Sequence, residues 1–270
     1  MSARNQSSSG TEDVRRDGIQ SVRRALTILE LFDDRRPALR MSEIAELTGL
    51  NRATSYRFCQ TLLALGYLEE ADERRLRPGL KALSLALSAL KSRELPELAL
   101  PYLRELRGRT GETVNMALLD GVEVVYVARV VSDQLMSLRL YVGSRLPAYA
   151  SSLGRAVLAF LPETESDRLI AESRLEKITA NTIIDPRRLR AEFRRIRARG
   201  YAVNDQEIAL GLTGVAAPVL SGSGRPIAAV NISLPRPLKS PREIEDVLGP
   251  KVVETAQAIS ALTAPLSLES

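Results

Sequence analysis

The hydrophobic positions between Met41 and Gly66 have the spacing of two short helices joined by a tight turn. A first helix is predicted over Glu43–Thr48, with Ser42 as its N-cap, because a serine hydroxyl accepts a hydrogen bond from an unpaired backbone N–H. Gly49 supplies the left-handed residue that ends such a helix. The apolar side of the pair is expected to consist of Ile44, Leu47, Leu50, Phe58, Cys59 and Leu62.

The second helix of the pair is predicted over Arg52–Leu65, with Asn51 as its N-cap and Gly66 as its stop. Its buried side should carry, at helical spacing, Ser55, Phe58, Cys59, Leu62 and Leu65. The opposite side then carries Arg52, Ala53, Tyr56, Arg57 and Gln60. This pattern predicts a helix-turn-helix whose second helix enters a DNA major groove. An ordinary helical hairpin with a solvated polar face is the alternative.

The side chains on the polar face suit DNA chemistry. Arg57 can form two hydrogen bonds with guanine, and Gln60 can form two with adenine. Arg52, Thr54 and Tyr56 lie nearer the helix start, where contacts to phosphate are usual. The candidate DNA-binding residues of this helix are Asn51, Arg52, Ala53, Thr54, Tyr56, Arg57 and Gln60.

A helix before the motif and a hairpin after it complete the predicted N-terminal domain. Ile19–Phe32 has an apolar face at helical spacing. Two short strands, Tyr67–Glu70 and Arg74–Arg77, flank a polar turn at Ala71–Glu73 and occupy the place of a wing. Phosphate contacts from this wing are expected of Arg74 and Arg75, with Arg77 beside them; a solvated hairpin fits the residues equally well.

The segment Leu80–Arg93 is predicted to be a strongly apolar helix that links two domains. Its stripe consists of Leu80, Leu83, Leu87 and Leu90. A stripe this apolar is expected to be buried. It can pack against a second copy of the chain or against its own domain, and the residues leave both readings open.

From Thr113 onward the pattern changes to short strands, hairpin turns and helices, which predicts an α+β domain with helices on one face of the strands. Asp120 and Gly121 give the hairpin signal between its first two strands. The predicted strands are Thr113–Leu119, Glu123–Val131, Gln134–Val142, Tyr201–Val203, Thr213–Leu220 and Pro226–Leu234, with Pro147–Ser151 extended. The predicted helices are Glu97–Arg109, Leu153–Phe160, Glu165–Ser173, Pro186–Arg199 and Pro241–Leu262.

The helix Pro186–Arg199 is densely basic and is a candidate for a second DNA surface. Such runs are more often a solvated face. We therefore favour a structural helix with three apolar side chains directed inward: Leu189, Phe193 and Ile196.

Composition narrows the class of protein. The 270 residues suffice for two domains, and 44% hydrophobic residues support globular cores. No apolar run reaches the ~18 residues that span a membrane. A single cysteine, Cys59, excludes an internal disulfide, so a cytoplasmic location is expected.

The chain has no histidine. A Ser-His-Asp triad and a histidine-bound zinc site are therefore excluded, and no cofactor or metal is predicted. The net charge of +5 suits a polyanionic partner.

Several segments, in this order, resemble the IclR-type family of bacterial transcription regulators from Ile19 to Leu262. In the N-terminal half the resemblance lies in IQSVRRALTILELF, SEIAELTGLNRATSYRFCQTLLALGYLE and LRPGLKALSLA. In the C-terminal half it lies in GETVNMALLDGVEVVYVARV, VGSRLPAYASSLGRAVLAFLP, RARGYAVNDQEIALGLTGVAAPV and PIAAVNISLP. The resemblance implies a winged helix-turn-helix at 18–78, a linker helix at 79–94 and a GAF/PAS-like effector-binding domain at 95–265. It also implies dimers, often paired into tetramers, on palindromic double-stranded DNA. Residues 1–17 are expected to form a disordered tail.

The resemblance also implies an effector pocket for a small organic acid. Carried over residue by residue, the pocket falls on Ala150, Ser151, Ser152, Leu153, Gly154, Asp205, Thr213, Gly214, Asn231 and Ser233. A loop that opens a helix at Leu153 and Gly154 presents backbone N–H groups and the positive end of the helix dipole to a carboxylate. Gly214 stands where the family often has Cys or Ser, and Asn231 where a small hydroxyl residue is common, so the ligand stays open. Ordinary strand hydrogen bonding is the alternative role for Asn231 and Ser233.

The segment YVGSRLPAYASSLGR is more similar to the branch that senses aromatic acids or their breakdown intermediates, such as protocatechuate, hydroxybenzoate or β-ketoadipate. Arg145 or Arg155 can pair with the acid, although either can be a surface residue. The sequence therefore predicts a ligand-responsive DNA-binding regulator. The alternatives are an enzyme that acts on a small acid and carries a DNA-binding domain, and a non-catalytic protein-interaction or RNA-binding module.

Overall fold

The computed structural model describes residues 19–33, 36–91, 94–132, 140–235 and 240–263. Two compact units divide between Ser92 and Arg93. Within the described residues no helix combines the length and the apolarity that crossing a bilayer requires.

The described part of the first unit contains four α-helices and a small antiparallel sheet. The helices are α1 (Gln20–Glu30), α2 (Met41–Thr48), α3 (Arg52–Ala64) and α4 (Leu80–Lys91). The strands are β1 (Leu39–Arg40), β2 (Leu68–Ala71) and β3 (Arg75–Pro78), in the order β1-β3-β2. The helix-turn-helix and the wing hairpin are present as predicted. The third strand, β1, was not predicted, because two residues are too few to show the apolar–polar alternation of a strand.

The core of the first unit lies between α1, the helix pair and the sheet. Its buried side chains include Ile28, Ile44, Leu62, Leu68 and Leu76. Cys59 is fully buried in the same cluster. Burial raises the pKa of its thiol, which keeps it neutral as expected of a small core residue.

Three local predictions in this unit are wrong. Ser42 is not the N-cap of α2: the helix begins at Met41, two residues earlier than predicted, and its N-cap is Arg40. The Glu43 carboxylate accepts the Arg40 backbone N–H at 2.7 Å. Leu47 and Leu65 were expected on the apolar side, yet they are 48% and 50% exposed. Both lie at the rim of the helix pair, where helical spacing alone does not show how far the neighbouring element extends.

The second unit is built on a six-stranded antiparallel sheet in the order β6-β5-β4-β9-β8-β7. Its strands are β4 (Thr113–Asp120), β5 (Glu123–Val130), β6 (Arg145–Pro147), β7 (Ala202–Asp205), β8 (Leu212–Leu220) and β9 (Pro226–Pro235). Its longer helices are α5 (Leu95–Thr110), α6 (Ser152–Phe160), α7 (Glu163–Glu172), α8 (Pro186–Arg199) and α10 (Gly249–Leu262). The class α+β is confirmed.

Helices cover both faces of this sheet, so the prediction of helices on one face is wrong. Ala216 of β8 belongs to the apolar cluster that α6 and α8 form with one face. The alternate residues of β8 point to the other face, where α10 packs on β8 and β9 and α5 packs on β4 and β5. Those alternate residues are also buried: Val215, Ala217 and Val219.

Several boundaries in the second unit differ from the predictions. Pro147–Ser151 was expected to be extended, but Ala148–Ala150 forms a 3-10 turn after β6. The last predicted helix is divided into an α-helical turn α9 (Pro241–Glu243), a π-helical turn Ile244–Leu248 and α10. The predicted strand Gln134–Val142 lies outside the described residues up to 139, and residues 140–142 are not in a strand.

Candidate DNA interface and effector site

The start of α3 is held by a side-chain cap. Asn51 Oδ1 accepts the backbone N–H of Thr54 at 2.8 Å, which satisfies one of the unpaired donors of the helix N-terminus. The N-cap prediction for Asn51 is confirmed. The side-chain oxygen of Asn51 is thus used by the helix cap. Its contribution to a DNA interface is to fix the orientation of the first turn of α3.

The face of α3 that points away from the core is exposed. Ser55, Cys59 and Leu62 are its buried residues. Thr54 is half-buried beside them. No ion pair within the described residues occupies Arg52 or Arg57. The exposed face carries Arg52, Ala53, Tyr56, Arg57 and Gln60.

The wing arginines differ in their surroundings. Arg74 is exposed at the tip, where Glu73 and Arg74 both have a φ of 58°. Arg75 is half-buried and donates to the Ala38 carbonyl at 3.3 Å. Arg77 donates to the Glu69 carboxylate at 2.7 Å. Arg74 is therefore the wing arginine best placed for a phosphate.

In the second unit the N-terminus of α6 meets strands β5, β7, β8 and β9 around a small cavity of about 30 Å³. This is room for about two water molecules. Its apolar walls come from Leu140, Leu146, Ile208 and Leu212. Its polar lining consists of Tyr126, Ser151, Ser152, Asn204, Asn231 and Ser233, with Gly214 between them.

Three polar side chains of the cavity form a network with Asn115. Asn231 Nδ2 donates to Ser152 Oγ and to Ser233 Oγ, each at 3.2 Å. Asn115, on the neighbouring strand, donates from Nδ2 to Asn231 Oδ1 at 2.8 Å. Asn115 Oδ1 is buried and receives no donor from the described residues. An unmet buried acceptor is costly, so this end of the network favours a molecule that donates a hydrogen bond.

The first turn of α6 is packed tightly and presents donors. Ser151 Oγ accepts the Gly154 N–H at 2.9 Å. Gly154 leaves no room for a side chain, because a Cβ there would lie 2.3 Å from the Ala148 backbone. The backbone N–H groups of Ser152 and Leu153 have no acceptor in the described part of the chain. They supply the positive end of the α6 dipole.

The structure brings some of the predicted effector residues together. Ser151, Ser152, Gly214, Asn231 and Ser233 line the cavity. Three others lie directly behind it in the packed helix start: Ala150, Leu153 and Gly154.

Asp205 and Thr213 are not at the cavity. They are cross-strand partners on the opposite face of the sheet, with the Thr213 hydroxyl 3.5 Å from Asp205 Oδ1. The adjacent pair, Asn204 and Gly214, faces the cavity instead. Because side chains alternate along a strand, a shift of one residue moves a side chain to the other face. Asp205 and Thr213 therefore lie outside the cavity lining, whereas their neighbours Asn204 and Gly214 belong to it.

Tyr126 and Asn204 line the cavity and were missed from the sequence. Asn204 Nδ2 donates to the Ala150 carbonyl and ties β7 to the start of α6. Tyr126 is almost fully buried, and burial raises the pKa of its phenol, which stays protonated. The alternation of β5 could have indicated an inward Tyr126, but not that the inward face lines a cavity.

Neither arginine considered as a partner for the acid is free. Arg155 is 1% exposed; both terminal nitrogens of its guanidinium bond to the Glu207 carboxylate, and Nε donates to the Tyr149 carbonyl at 2.6 Å. Arg145 is paired at 2.7 Å with both Glu123 and Asp120. The hydrogen bond that Arg145 donates to Glu123 raises the pKa of Arg145 above its ordinary value. Both arginines are therefore committed to internal carboxylates.

The basic helix α8 is a structural element. Leu189, Phe193 and Ile196 are buried in the α6 side of the core, as expected. Three of its seven arginines form ion pairs within the described residues: Arg190 with Asp167, and Arg195 and Arg199 with Glu192. Within the described residues no cluster of three or more Cys, Asp or Glu side chains has the arrangement of a metal site.

A winged helix-turn-helix joined in one chain to a sensor-like α+β unit with a small polar cavity defines the class of ligand-responsive transcription regulators. Comparison with known proteins supports this class. The model of the IclR helix-turn-helix domain matches residues 21–72, and the model of the bacterial transcriptional regulator IclR C-terminal domain matches residues 87–261. The chain belongs to the IclR family of bacterial transcriptional regulators.

The similar proteins are regulators. The Pca regulon regulatory protein of Pseudomonas putida is 36% identical over 80% of this chain and 75% of its own length. The p-hydroxybenzoate hydroxylase transcriptional activator of Acinetobacter baylyi is 32% identical over 93% of this chain and 95% of its own. Both relatives are named as regulators, which agrees with the family of this chain.

Solved structures agree. A putative transcriptional regulator from Rhodococcus sp. RHA1 has a TM-score of 0.79 at 38% identity, covering 92% of this chain and 99% of that chain. An IclR homolog from Microbacterium hydrocarbonoxydans, complexed with 4-hydroxybenzoate, has a TM-score of 0.77 at 27% identity, covering 90% of this chain and 98% of that chain.

Proposed function

We propose that this regulator reads a palindromic operator as a homodimer or a pair of dimers, and that a small aromatic acid or one of its breakdown products alters its operator binding. One observation carries the proposal. A helix-turn-helix exposes an unpaired polar face, Arg52 to Gln60, in a chain whose second unit holds a separate polar cavity. DNA binding and ligand binding then occupy different sites, as a ligand-responsive regulator requires.

On DNA, α3 lies in the major groove with Arg57 on guanine and Gln60 on adenine. Arg52, Thr54 and Tyr56 contact phosphate near the helix start, where Asn51 and Ala53 set the approach of the first turn. Arg74 of the wing adds a phosphate contact, with Arg75 beside it. The exposure of these side chains in the free protein supports these roles, except for Thr54 and Arg75, which are half-buried.

Each segment of the chain then has its own function. Residues 18–78 form the DNA-binding domain, 79–94 the linker and 95–265 the effector domain, preceded by the tail 1–17. The protein works in the cytoplasm, where its operator is.

Dimerisation is supported by the apolar stripe of α4. Leu80, Leu83 and Leu87 are 75%, 54% and 47% exposed, and Leu85 beside them is 62% exposed. Exposed leucines in a row at helical spacing mark a surface that a second copy can cover. A two-fold dimer implies a palindromic operator, because each recognition helix reads one half-site.

The effector enters the cavity at the start of α6. The Ser152 and Leu153 N–H groups, the hydroxyls of Ser151, Ser152 and Ser233 and the Asn231 amide interact with oxygen atoms of the acid. The names of two similar proteins support an aromatic acid: one activates transcription for a p-hydroxybenzoate hydroxylase, and another is complexed with 4-hydroxybenzoate.

A cavity of about 30 Å³ is smaller than an aromatic acid, so binding requires the walls to move. The acid-bound arrangement is then a second state of the domain. An acid that binds this state better shifts the population toward it, and the linker helices transmit the change to the two DNA-binding domains. Acid and operator should therefore change each other's affinity by the same factor.

A footprint on the DNA upstream of its own gene tests the proposal. We expect a protected palindrome that Arg57→Ala abolishes. Arg194→Ala, which removes the same charge from the exposed face of α8, should leave the footprint intact. The footprint is repeated with protocatechuate, 4-hydroxybenzoate and β-ketoadipate, one of which should change the protein concentration needed for protection. No protection at low salt, or equal loss in both variants, would contradict the proposed interface.

A further inference from the structure

One arginine of the second unit lies on the cavity side of the sheet and was not considered from the sequence. Arg129 of β5 is the cross-strand partner of Asn115 of β4, which in turn is the partner of Asn231 of β9. Direct cross-strand partners project from the same face of a sheet. Asn231 faces the cavity and bonds to Ser152 at the start of α6. Arg129 therefore projects from the face that carries the polar network.

Arg129 differs from Arg155 and Arg145 in having no anion among the described residues. It is half-buried, and within the described part of the chain neither a carboxylate nor a carbonyl oxygen bonds to it. Arg155 and Arg145, in contrast, each hold carboxylate oxygens. A charge taken out of water without a partner is unfavourable. Burial accordingly lowers the pKa of Arg129.

The groups around Arg129 do not neutralise it, and they suit an aromatic acid. The phenols of Tyr126 and Tyr141 are the titratable groups nearest to it, and neither is a carboxylate. Burial keeps the Tyr126 phenol protonated, because it raises the pKa of that group. Asn115, opposite it, keeps a buried Oδ1 without a donor. A guanidinium that lacks an anion thus stands next to an acceptor that lacks a donor.

We propose that Arg129 binds the carboxylate of the effector and so decides that the ligand is an anion. The guanidinium matches a carboxylate through two parallel hydrogen bonds. The uncharged oxygen of the ligand, a phenol or a keto group, then lies toward Ser152, Asn231 and Ser233. This inference rests on the proposed function, since it assigns the ligand of the same cavity an orientation and a charge.

The test compares an acid with its neutral amide. Binding of 4-hydroxybenzoate, protocatechuate, β-ketoadipate and 4-hydroxybenzamide to the full chain is measured by calorimetry for the wild type, Arg129→Gln, Arg129→Lys and Arg145→Gln. The wild type should bind at least one acid. Arg129→Gln should weaken that acid about 10- to 100-fold, the range for a hydrogen bond to a charged group, and leave the amide within about threefold. Arg129→Lys should restore part of the affinity for the acid.

Arg145→Gln is the matched control, because it removes the same charge from the adjacent strand, where two carboxylates already hold it. It should leave the preference for acid over amide unchanged. Wild-type binding of an acid that Arg129→Gln leaves unaltered, or equal losses for acid and amide, would overturn the inference and leave the proposed function in place. No binding of any of the three acids by the wild type would overturn both.

A stability measurement gives a second check that needs no ligand. An arginine without an internal anion should be replaceable, so Arg129→Gln should keep or raise the Tm of the protein. A fall of more than about 5 °C would show that Arg129 has a partner inside the protein, and the inference would then fail.

Discussion

The two units of the chain use arginine in different ways. In the first unit, Arg52, Arg57 and Arg74 extend into solvent and have no ion pair within the described residues. In the second unit the long helix α8 carries seven arginines, more than the recognition helix. Arg190, Arg195 and Arg199 pair with Asp167 or Glu192, and Arg197 donates to the Ala159 carbonyl. Arg187, Arg188 and Arg194 are exposed and have no ion pair within the described residues. The number of arginines therefore does not by itself mark a DNA surface, because part of that number stabilises the fold.

The largest expected effect concerns the most buried pair. Glu207→Gln leaves the Arg155 guanidinium buried opposite a neutral group, which should lower the free energy of unfolding of the second unit by about 3–5 kcal/mol. Denaturant unfolding of the full chain, followed by circular dichroism, measures the loss.

Glu165→Gln is the control for this prediction, because its pair with Arg225 is partly solvated, whereas the Arg155–Glu207 pair is buried. It should cost less than about 1 kcal/mol. Equal losses in the two variants would mean that burial does not separate structural arginine pairs from surface pairs in this protein.

An intermediate effect is expected in the wing. Arg74→Ala should weaken operator binding several-fold and reduce the slope of log K against log salt by about 1, because one phosphate contact is lost. Arg77→Ala should do less, since Glu69 already holds Arg77. Fluorescence anisotropy with an operator duplex across a salt series measures both. A larger change in the Arg77 variant would reverse the proposed assignment.

The smallest effect is expected in α8. The hydrogen bond and charge of Asp167 raise the pKa of Arg190, but the pair is partly exposed at the surface. Arg190→Gln should shift the Tm by less than about 2 °C and leave operator affinity unchanged. A clear loss of DNA binding would indicate that α8 is a second DNA surface. It would contradict the view that the arginines of the two units have different roles.

Much of the fold was readable because the relevant signals are local. The turn at Gly49, the cap at Asn51 and the hairpin at Asp120 and Gly121 each depend on a few adjacent residues. The wing was found from its two strands. The strand β1 was missed because Leu39 and Arg40 become a strand only by pairing with β3.

The candidate effector site was only partly readable. Ser151 and Ser152 follow from the start of a helix, which is a local feature. Asp205 and Thr213 were placed one residue away from the cavity-facing pair, because the sequence gives a strand but not which of its faces meets α6. Here helices cover both faces of the sheet, so β8 is buried along most of its length. Its residues therefore show no apolar–polar alternation that would tell one face from the other.

The sequence by itself determined the class of fold, the helix-turn-helix with its exposed reading face and the absence of histidine chemistry, because spacing and composition suffice for these. Only the tertiary structure decided how the arginines are used. It paired Arg155 with Glu207 across 52 residues of chain and left Arg129 beside the cavity with no anion in the described residues. Ion pairs form between side chains that are distant in the sequence and become neighbours only in the folded protein. The sequence alone therefore does not show whether a given arginine has a carboxylate partner.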